Sequence, residues 1–349
     1  MPLSDGVSTT SIIFYNIELF VLLVANFSCV LFLIVLTKAK CFHINLRILL
    51  ANFAFTFLLI VITRYLIVIP LWVAFVFDLD IADKNYCRFA KSLHAIAVYV
   101  TGLGLAVLVI ERTLATILVR VYETVKSRAV AVVLVLFQWS FGTIFILANQ
   151  IEPKEQQYKR LACRVEYTSP RAHFVSLITI IVMDAVAMTV FLLLLRINRK
   201  HYQMRNQQPK HPKLSERYQT AENVRSTRLL FPLVLVYLIV SLLSGGILLF
   251  GILSVDKFSR DLLAFQLKYG PLFQSFNLII ATYAAVFPYL AMQGHQSFFN
   301  AFKEIVFGKR DTPRNPRELV PLSLDGQQLV PPSNQETEIH FANLKAMWK

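Results

Sequence analysis

Seven long apolar stretches, each of at least 20 residues, limit what this chain of 349 residues can fold into. A helix needs about 20 apolar residues to cross the hydrocarbon core of a bilayer, and it satisfies its own backbone hydrogen bonds there. With 56% hydrophobic and 16% charged residues, the composition also indicates a multi-span membrane protein. We therefore predict an all-α fold, a seven-transmembrane helix bundle with spans at residues 14–36, 46–77, 87–119, 129–148, 173–195, 229–253 and 269–292.

The distribution of basic residues predicts the orientation of this bundle. A net charge of +14 would suit nucleic-acid binding, but the Lys and Arg residues lie mainly between the apolar spans. The segments assigned to the inner side carry more than twice as many Lys and Arg residues as those assigned to the outer side. This predicts the N-terminus outside and the C-terminus in the cytoplasm, with the lipid bilayer and not nucleic acid as the surrounding partner.

The chain divides into four predicted parts. Residues 1–13 form a short extracellular N-terminus without the charged start of a signal peptide, so the first span should act as its own insertion signal. Residues 14–292 form the seven-span domain, in which residues 196–228 make a long basic connection before the sixth span. Residues 293–310 combine four phenylalanines with Lys303 and Lys309, which suits an amphipathic juxtamembrane helix. Residues 311–349 are polar and proline-rich, and we expect a disordered cytoplasmic tail.

The third span carries a cysteine at its outer end and an acid-arginine pair at its inner end. Cys87 and Arg112 are 25 positions apart, which corresponds to roughly 37 Å of helix. We predict one long, tilted helix that places both residues on the same side. The pair Glu111–Arg112 is typical of the third helix of seven-helix G-protein-coupled receptors. The alternative is a charge pair that only flanks a membrane helix and extends into the interface.

Two of the four cysteines are predicted to form a disulfide. Cys87 and Cys163 both fall on the outer side, where oxidising conditions favour a bond that would hold the second outer loop over the bundle. Two unpaired thiols are the alternative. Cys29, within the first span, and Cys41, on the inner side, should stay reduced.

Several polar residues lie within apolar spans, where they are costly unless they face the bundle interior. Arg64 on the second span and Asp184 on the fifth are the ionisable ones, and we expect the carboxylate to pair with Arg64 through water or to contact a ligand. His94 and Thr101 fall on the interior side of the third span, and Tyr283 on the seventh offers a hydroxyl. We predict a ligand pocket formed by these five residues; the alternative is that they only join helices together.

Catalytic and metal-binding patterns are absent from the sequence. It contains no metal-ligand cluster, phosphate-binding loop or nucleophile elbow. We therefore predict no catalytic residues, no enzyme activity, no metal and no cofactor.

Three motifs at the inner ends of the spans carry a resemblance to a known family. The chain resembles the nematode serpentine chemoreceptors, class epsilon first and the related alpha, beta and alpha-beta classes next. The motifs are FHINL at 42–46, ERTLAT at 111–116 followed by YE at 122–123, and LSERYQ at 214–219 followed by EN at 222–223. The likeness extends over nearly the whole chain, from the first span to the helix after the seventh.

This resemblance implies a chemosensory G-protein-coupled receptor that detects a small external molecule. Its partner would be a heterotrimeric G-protein at the inner face, contacted through five charged residues: Glu111, Arg112, Arg120, Arg217 and Arg225. The same cationic surface would also suit anionic lipid, or would only set the topology. The implied location is the plasma membrane, as a multi-pass protein of sensory neurons.

The chain departs from the general rhodopsin-like pattern in two spans. The sixth span lacks the Cys-Trp-x-Pro motif and has Pro232 near its inner end, and the seventh ends in Phe287-Pro288-Tyr289. The activation switch of that larger group therefore does not transfer residue by residue. Two other functions stay open at this point, a ligand-gated cation channel of the odorant-receptor type, whose N-terminus would be inside, and a transporter, which the absence of internal repeats disfavours.

Overall fold

A computed structural model describes residues 9–38, 42–77, 79, 81–118, 128–150, 163, 169–207, 214–255, 262–293 and 296–308. In these residues the chain forms nine helices and no extended strand. Their bounds are α1 Thr9–Lys38, α2 Ile44–Phe77, α3 Lys84–Gly102, α4 Gly104–Ile117, α5 Ala129–Ala148, α6 Pro170–Gln207, α7 Leu214–Val255, α8 Leu262–Gln293 and α9 Gln296–Phe307.

Seven segments of these helices are long and apolar enough to cross a membrane, as predicted. We number them as spans I to VII, and α3 and α4 together make span III. Their bounds are Ile12–Lys38, Ile44–Phe77, Lys84–Ile117, Ala129–Ala148, Ala172–His201, Leu230–Gly251 and Gln274–Gln293. Span III has 72% of its most apolar window buried inside the protein, the largest share of the seven. It is therefore the central helix, and the other spans pack around it.

The predicted basic connection between spans V and VI is largely helical instead. Helix α6 continues past the apolar stretch to Gln207, and α7 already begins at Leu214. Good helix formers such as Arg, Lys, Gln and Glu dominate both extensions, whereas the two prolines of the segment fall at 209 and 212. Both prolines lie outside the described residues.

The third span is one long apolar segment, as predicted, but its helix has a break at Leu103. Helix α3 ends at Gly102 and α4 begins at Gly104, with Leu103 between them in a tight turn whose N–H bonds to the carbonyls of Tyr99 and Val100, both at 3.2 Å. Glycine on both sides weakens the helix, and close packing requires both glycines. A Cβ on Gly102 would lie 2.7 Å from Ile180, and a Cβ on Gly104 only 2.5 Å from Phe53.

Backbone carbonyls left without a helical partner are bonded by side chains of other spans. Pro70 has no N–H for the carbonyl of Leu66, and the Tyr86 hydroxyl donates to that carbonyl at 3.0 Å. The carbonyl four residues before Pro288 is that of Ala284, and the Cys29 thiol donates to it at 3.5 Å. Unpaired backbone groups are expensive in lipid, so these contacts allow prolines inside the spans.

A second set of polar contacts holds spans II, III and IV together at the break. Gln138 Nε2 donates to the Val100 carbonyl at 2.6 Å, and Gln138 Oε1 accepts from Asn52 Nδ2 at 3.0 Å. Asn52 Oδ1 in turn accepts from Trp139 Nε1 at 2.8 Å. Gln138 and Asn52 each donate one hydrogen bond and accept another. The break in span III is therefore a well-defined feature and not a loose segment.

The core below the break is aromatic. Phe53 packs edge-on against Phe57, Tyr237 and Phe287, with ring centroids 4.9 to 5.6 Å apart. Phe298 of α9 is fully buried and reaches this core through Phe32, which also contacts Phe287. Edge-to-face pairs of this kind add to the stability obtained from burial alone.

The close packing at the break leads to a first prediction. Gly104→Ala should lower the melting temperature of the detergent-purified protein, because the added methyl group overpacks against Phe53 at a cost of about 1–3 kcal/mol. Gly246→Ala is the matched control, because a Cβ there meets no atom within 4 Å. Equal melting temperatures for the two variants would contradict the packing argument.

Candidate functional site

The outer end of the bundle is closed by a disulfide. Cys87 at the start of span III and Cys163 between spans IV and V are bonded, with their Cα atoms 4.8 Å apart. Both residues are buried, in a small apolar cluster with Tyr15, Ile67 and Leu71. The predicted pairing is confirmed, and we call this end of the molecule the outer end.

Arg64 pairs with an acid that the sequence reasoning missed. Its guanidinium lies 2.7 Å from Glu18 Oε1, and both side chains are almost fully buried. The expected pairing of Arg64 with Asp184 is therefore replaced by an ion pair between spans I and II. Glu18 is the only charged residue between positions 14 and 36, and that isolation within an apolar stretch was the available signal.

His94 connects three spans. Its Nδ1 lies 3.0 Å from the Thr63 hydroxyl on span II, and its Nε2 lies 3.3 Å from Asn277 Oδ1 on span VII. Both partners were missed because Thr and Asn are common in apolar spans and carry no charge to mark them. His94 faces the bundle interior, as predicted, and both ring nitrogens have hydrogen-bond contacts.

Asp184 lies at the interface of spans V and VI. It is fully buried, and its Oδ2 accepts a hydrogen bond from the Ser241 hydroxyl at 2.7 Å. Its Oδ1 has no hydrogen-bond partner among the residues that the structure describes. Two predicted pocket residues, Asp184 and Tyr283, thus both contact span VI, Asp184 through Ser241 and Tyr283 through the Leu233 carbonyl.

Thr101 contributes its backbone to this centre. The Tyr237 hydroxyl donates to the Thr101 carbonyl at 2.9 Å, just before the break in span III. The Thr101 hydroxyl is used within its own helix, on the Ala97 carbonyl at 2.8 Å. The Tyr283 hydroxyl likewise donates to a backbone carbonyl, that of Leu233, at 3.2 Å. Tyr237 was missed because one tyrosine in an apolar span looks like packing.

At the inner end, the acid-arginine pair is buried and linked to span VI. Arg112 Nε and Nη2 lie 2.5 and 2.6 Å from the two carboxylate oxygens of Glu111. Arg112 Nη1 also donates to the Ser226 hydroxyl at 2.8 Å. Arg112 is 4% exposed and Glu111 is fully buried, so these charges do not extend into the interface as the snorkelling alternative required.

The other predicted coupling residues are less well placed. Arg120 lies outside the described residues, and Arg217 and Arg225 lie on α7 with side chains that are not described. Asn198 of span V is an addition, since its Nδ2 donates to the Thr116 hydroxyl on span III at 3.2 Å. This contact lies one turn beyond Arg112 on the same helix.

Spans III and VI are therefore joined at two levels. The outer III–VI link is the bond from Tyr237 to the Thr101 carbonyl, and the inner III–VI link is the bond from Arg112 to Ser226. Eleven positions separate the two links on span III, and eleven separate Ser226 from Tyr237 on α7, which is about three helical turns or roughly 16 Å. The two helices run in opposite directions, so the residue pairs of the two links face each other at the same spacing.

The described residues hold no group of His, Cys, Asp and Glu that would bind a metal ion. What they present is a seven-span bundle with a disulfide at its outer end, polar groups in its interior and a buried acid-arginine pair at its inner end. Those features define the class of G-protein-coupled receptors.

Comparison with known proteins gives the family. Residues 7–265 match the model of the serpentine type 7TM GPCR receptor class ab chemoreceptor. The chain therefore belongs to the class ab serpentine chemoreceptors and is a chemosensory G-protein-coupled receptor. The prediction of the serpentine group is confirmed, but class epsilon is wrong. The three inner-end motifs identify the group as a whole and do not separate its classes.

Two curated relatives from Caenorhabditis elegans agree with this assignment. The chain is 28% identical to "Probable G-protein coupled receptor F27E5.8", over 99% of this chain and 94% of the relative. It is 29% identical to "Serpentine receptor class alpha/beta-14", over 92% of this chain and 85% of the relative. The similarity thus covers the inner and outer ends of the bundle alike.

A second prediction concerns the disulfide. Cys87→Ser and Cys163→Ser should each reduce delivery to the cell surface severalfold, because either change removes the covalent bond between Cys163 and the outer end of span III. The double variant should be no worse than either single one, since one bond is lost in all three. Surface labelling measures the effect, with Cys41→Ser as the control; additive losses would mean that the two thiols act separately.

A third prediction concerns the outer III–VI link. Tyr237→Phe keeps the ring in the aromatic core and removes only the hydroxyl, so the Thr101 carbonyl loses a bond worth about 1 kcal/mol. We expect basal signalling to rise severalfold at unchanged surface level, because span VI is then held less tightly against span III. Thr282→Val, on the lipid-exposed side of span VII, is the control. Unchanged basal signalling in both variants would remove this bond from the activation mechanism.

Proposed function

We propose that this receptor binds a small external molecule in the outer half of its bundle and activates a heterotrimeric G-protein at its inner face. The observation that carries this proposal is the buried Arg112, held both by Glu111 and, across to span VI, by Ser226. Membership of the serpentine chemoreceptors supports both halves of the proposal. The plasma membrane of sensory neurons is the location we infer for it.

The proposed pocket contains the five residues predicted from the sequence, His94, Thr101, Arg64, Asp184 and Tyr283. Chemosensory ligands are small and weakly polar, so a site with few polar groups among apolar side chains would suit them. The contacts of these residues support unequal roles. Arg64 and His94 are committed to contacts with other spans, whereas Asp184 keeps one oxygen without a partner among the described residues.

The proposed route from pocket to inner face runs along spans III and VI. Ser241, which bonds Asp184, lies one turn outward of Tyr237 on span VI. A ligand that displaced Ser241 would therefore also move Tyr237, the donor of the outer III–VI link. Since span VI is part of a continuous helix from Leu214 to Val255, that displacement would reach Ser226 and loosen the inner III–VI link as well.

The proposed activation step is the release of Arg112. In the state described here its guanidinium is turned to Glu111 and Ser226 and is almost completely buried. Movement of span VI would remove the Ser226 hydroxyl and open the inner end of the bundle, where the guanidinium would meet the G-protein. Arg120, Arg217 and Arg225 would add positive charge to that surface.

The segment after span VII is proposed to lie on the inner membrane surface. Helix α9 buries Phe298 against the bundle and exposes Phe307 at 74%. Lys303 lies over the ring of Phe299, with its ammonium 4.6 Å from the centroid. An apolar side and a polar side of this kind suit the boundary between headgroups and acyl chains.

The test of the proposed function is a pair of substitutions at the inner end. Arg112→Ala should reduce G-protein activation at least tenfold, because the group released towards the partner is missing. Glu111→Gln should raise basal activation, because a bond between an amide and the guanidinium is about half as strong as one between two charges. Both are measured in cells with a promiscuous G-protein reporter and normalised to surface level.

The control for this pair is the neighbouring Thr113→Val, whose hydroxyl bonds only within its own helix, to the Val109 carbonyl. It should signal as the unchanged receptor does. Arg112→Ala leaves the buried carboxylate of Glu111 uncompensated, so the double variant Glu111→Gln with Arg112→Ala separates lost coupling from lost folding. Normal signalling by Arg112→Ala at equal surface level would sink the proposed role of this pair.

A further inference from the structure

The interface of spans V and VI contains a buried carboxylate that the described residues bond only in part. Asp184 is fully buried at this interface, and Ser241 supplies its one hydrogen bond among the described residues. Leaving the second carboxylate oxygen without a donor at this depth is expensive, because no water of the bulk reaches it. The site therefore favours an occupant that brings its own donor.

Tyr237 and Tyr283 do not supply that donor. The hydroxyl protons of Tyr237 and Tyr283 are both used on backbone carbonyls, those of Thr101 and Leu233. The nearest buried cation by position on the outer half, Arg64, is paired with Glu18. Within the described part of the chain, Asp184 forms no ion pair. Among the described residues, Asp184 Oδ1 therefore remains without a donor.

A second buried polar group without a hydrogen-bond partner among the described residues lies about one turn further out on span VI. Tyr237, Ser241 and Ser244 are spaced four and three positions apart, which places them on one face of span VI. Ser244 is 5% exposed, and its hydroxyl has no partner among the described residues. Asp184 Oδ1 and Ser244 Oγ are thus two buried polar atoms without partners on adjoining parts of one interface.

Close packing holds this interface in place. A Cβ on Gly245 would lie 2.9 Å from Ile181 and 3.1 Å from Leu177, both on the face of span V that carries Asp184. The glycine therefore lets the two spans approach closely enough for the bond between Asp184 and Ser241. On the inner side, the rings of Tyr237 and Tyr283 pack against each other, with their centroids 5.6 Å apart.

We infer that the ligand of this site is a small organic amine in its protonated form. Its ammonium group would donate to Asp184 Oδ1 and to the Ser244 hydroxyl, and it would interact favourably with the faces of Tyr237 and Tyr283. The apolar skeleton of the amine would pack among the aliphatic side chains of the spans. This inference rests on the proposed function, since it names the ligand class of the proposed pocket.

The test compares amines with alcohols of the same skeleton on the purified full-length receptor. The probes are butylamine, hexylamine and phenethylamine, with butanol, hexanol and phenethyl alcohol as neutral counterparts, at neutral pH. We expect at least one amine to raise the melting temperature by about 3 °C or more, because a ligand that binds only the folded state stabilises it. Its alcohol should leave the melting temperature unchanged. No shift with any amine, or equal shifts with amine and alcohol, would overturn the inference.

Two variants assign the effect to the site. Asp184→Asn should reduce the apparent affinity for the active amine roughly a hundredfold, because the charge partner is lost. Ser244→Ala, a milder change, should reduce it severalfold and keeps the test valid should Asp184→Asn fold poorly. Thr189→Val, on the exposed side of span V, is the matched control and should bind normally. Full amine binding by both pocket variants would overturn the inference.

Two further measurements distinguish an amine from an inorganic cation and from a ligand of a different class. Stabilisation by sodium chloride but not by potassium chloride, lost in Asp184→Asn, would assign the site to an inorganic cation and would overturn the amine inference. Failure of the amines while Arg112→Ala still abolishes basal signalling would reject the ligand class and leave the proposed function standing. If no amine binds and Arg112→Ala also leaves basal signalling unchanged, both the ligand class and the proposed function are rejected.

Discussion

The buried guanidinium of Arg112 is the constraint on which the inner half of this receptor depends. A charge that is only 4% exposed within a membrane protein must be compensated locally, and the adjacent Glu111 does so with two close contacts. The pair alone would hold only span III. The additional bond to Ser226 brings span VI into the same arrangement. Closure of the inner end is therefore a consequence of compensating one charge.

The break in span III gives the outer half a corresponding centre. Its carbonyls at Val100 and Thr101 accept bonds from Gln138 on span IV and Tyr237 on span VI. An unbroken helix would leave both carbonyls less available, so the turn at Leu103 makes contacts between spans possible. The same principle explains the prolines at 70 and 288, whose released carbonyls are bonded by Tyr86 and Cys29. In this bundle, carbonyls that an irregular backbone leaves without a helical partner accept hydrogen bonds from other spans.

The two acids of the outer half, Glu18 and Asp184, have different roles because their surroundings differ. Glu18 is held by Arg64 and joins spans I and II, as a structural ion pair does. Asp184 is equally buried but is bonded by one serine, and no basic side chain among the described residues pairs with it. Removing either carboxylate would thus have different consequences. Loss of Glu18 leaves a buried cation behind, whereas loss of Asp184 removes an acceptor that protein groups use only in part.

The amino-acid sequence by itself determined the features that depend on whether a segment lies in lipid or in water. Seven spans follow from apolar length, because lipid demands about 20 residues of helix. The sequence also predicted the disulfide and the acid-arginine pair. Cys87 and Cys163 lie on the same oxidising side, and Glu111 and Arg112 are neighbours in one short motif. The serpentine group was recognised from three motifs, whereas class ab required comparison over most of the chain.

Tertiary structure alone decided which polar groups meet. Arg64 was expected near Asp184, yet Glu18 is its partner, because the packing of spans I and II decides which acid is within reach. The roles of Tyr237, Ser226 and Gln138 were invisible in the same way, since each bonds to a group more than 30 positions away. The break at Leu103 also depends on neighbours, because Phe53 and Ile180 pack where a side chain at 104 or 102 would be. Apolar length is a property of one segment, but a hydrogen bond between spans depends on how two segments are rotated against each other, and that rotation is set only when the whole bundle packs.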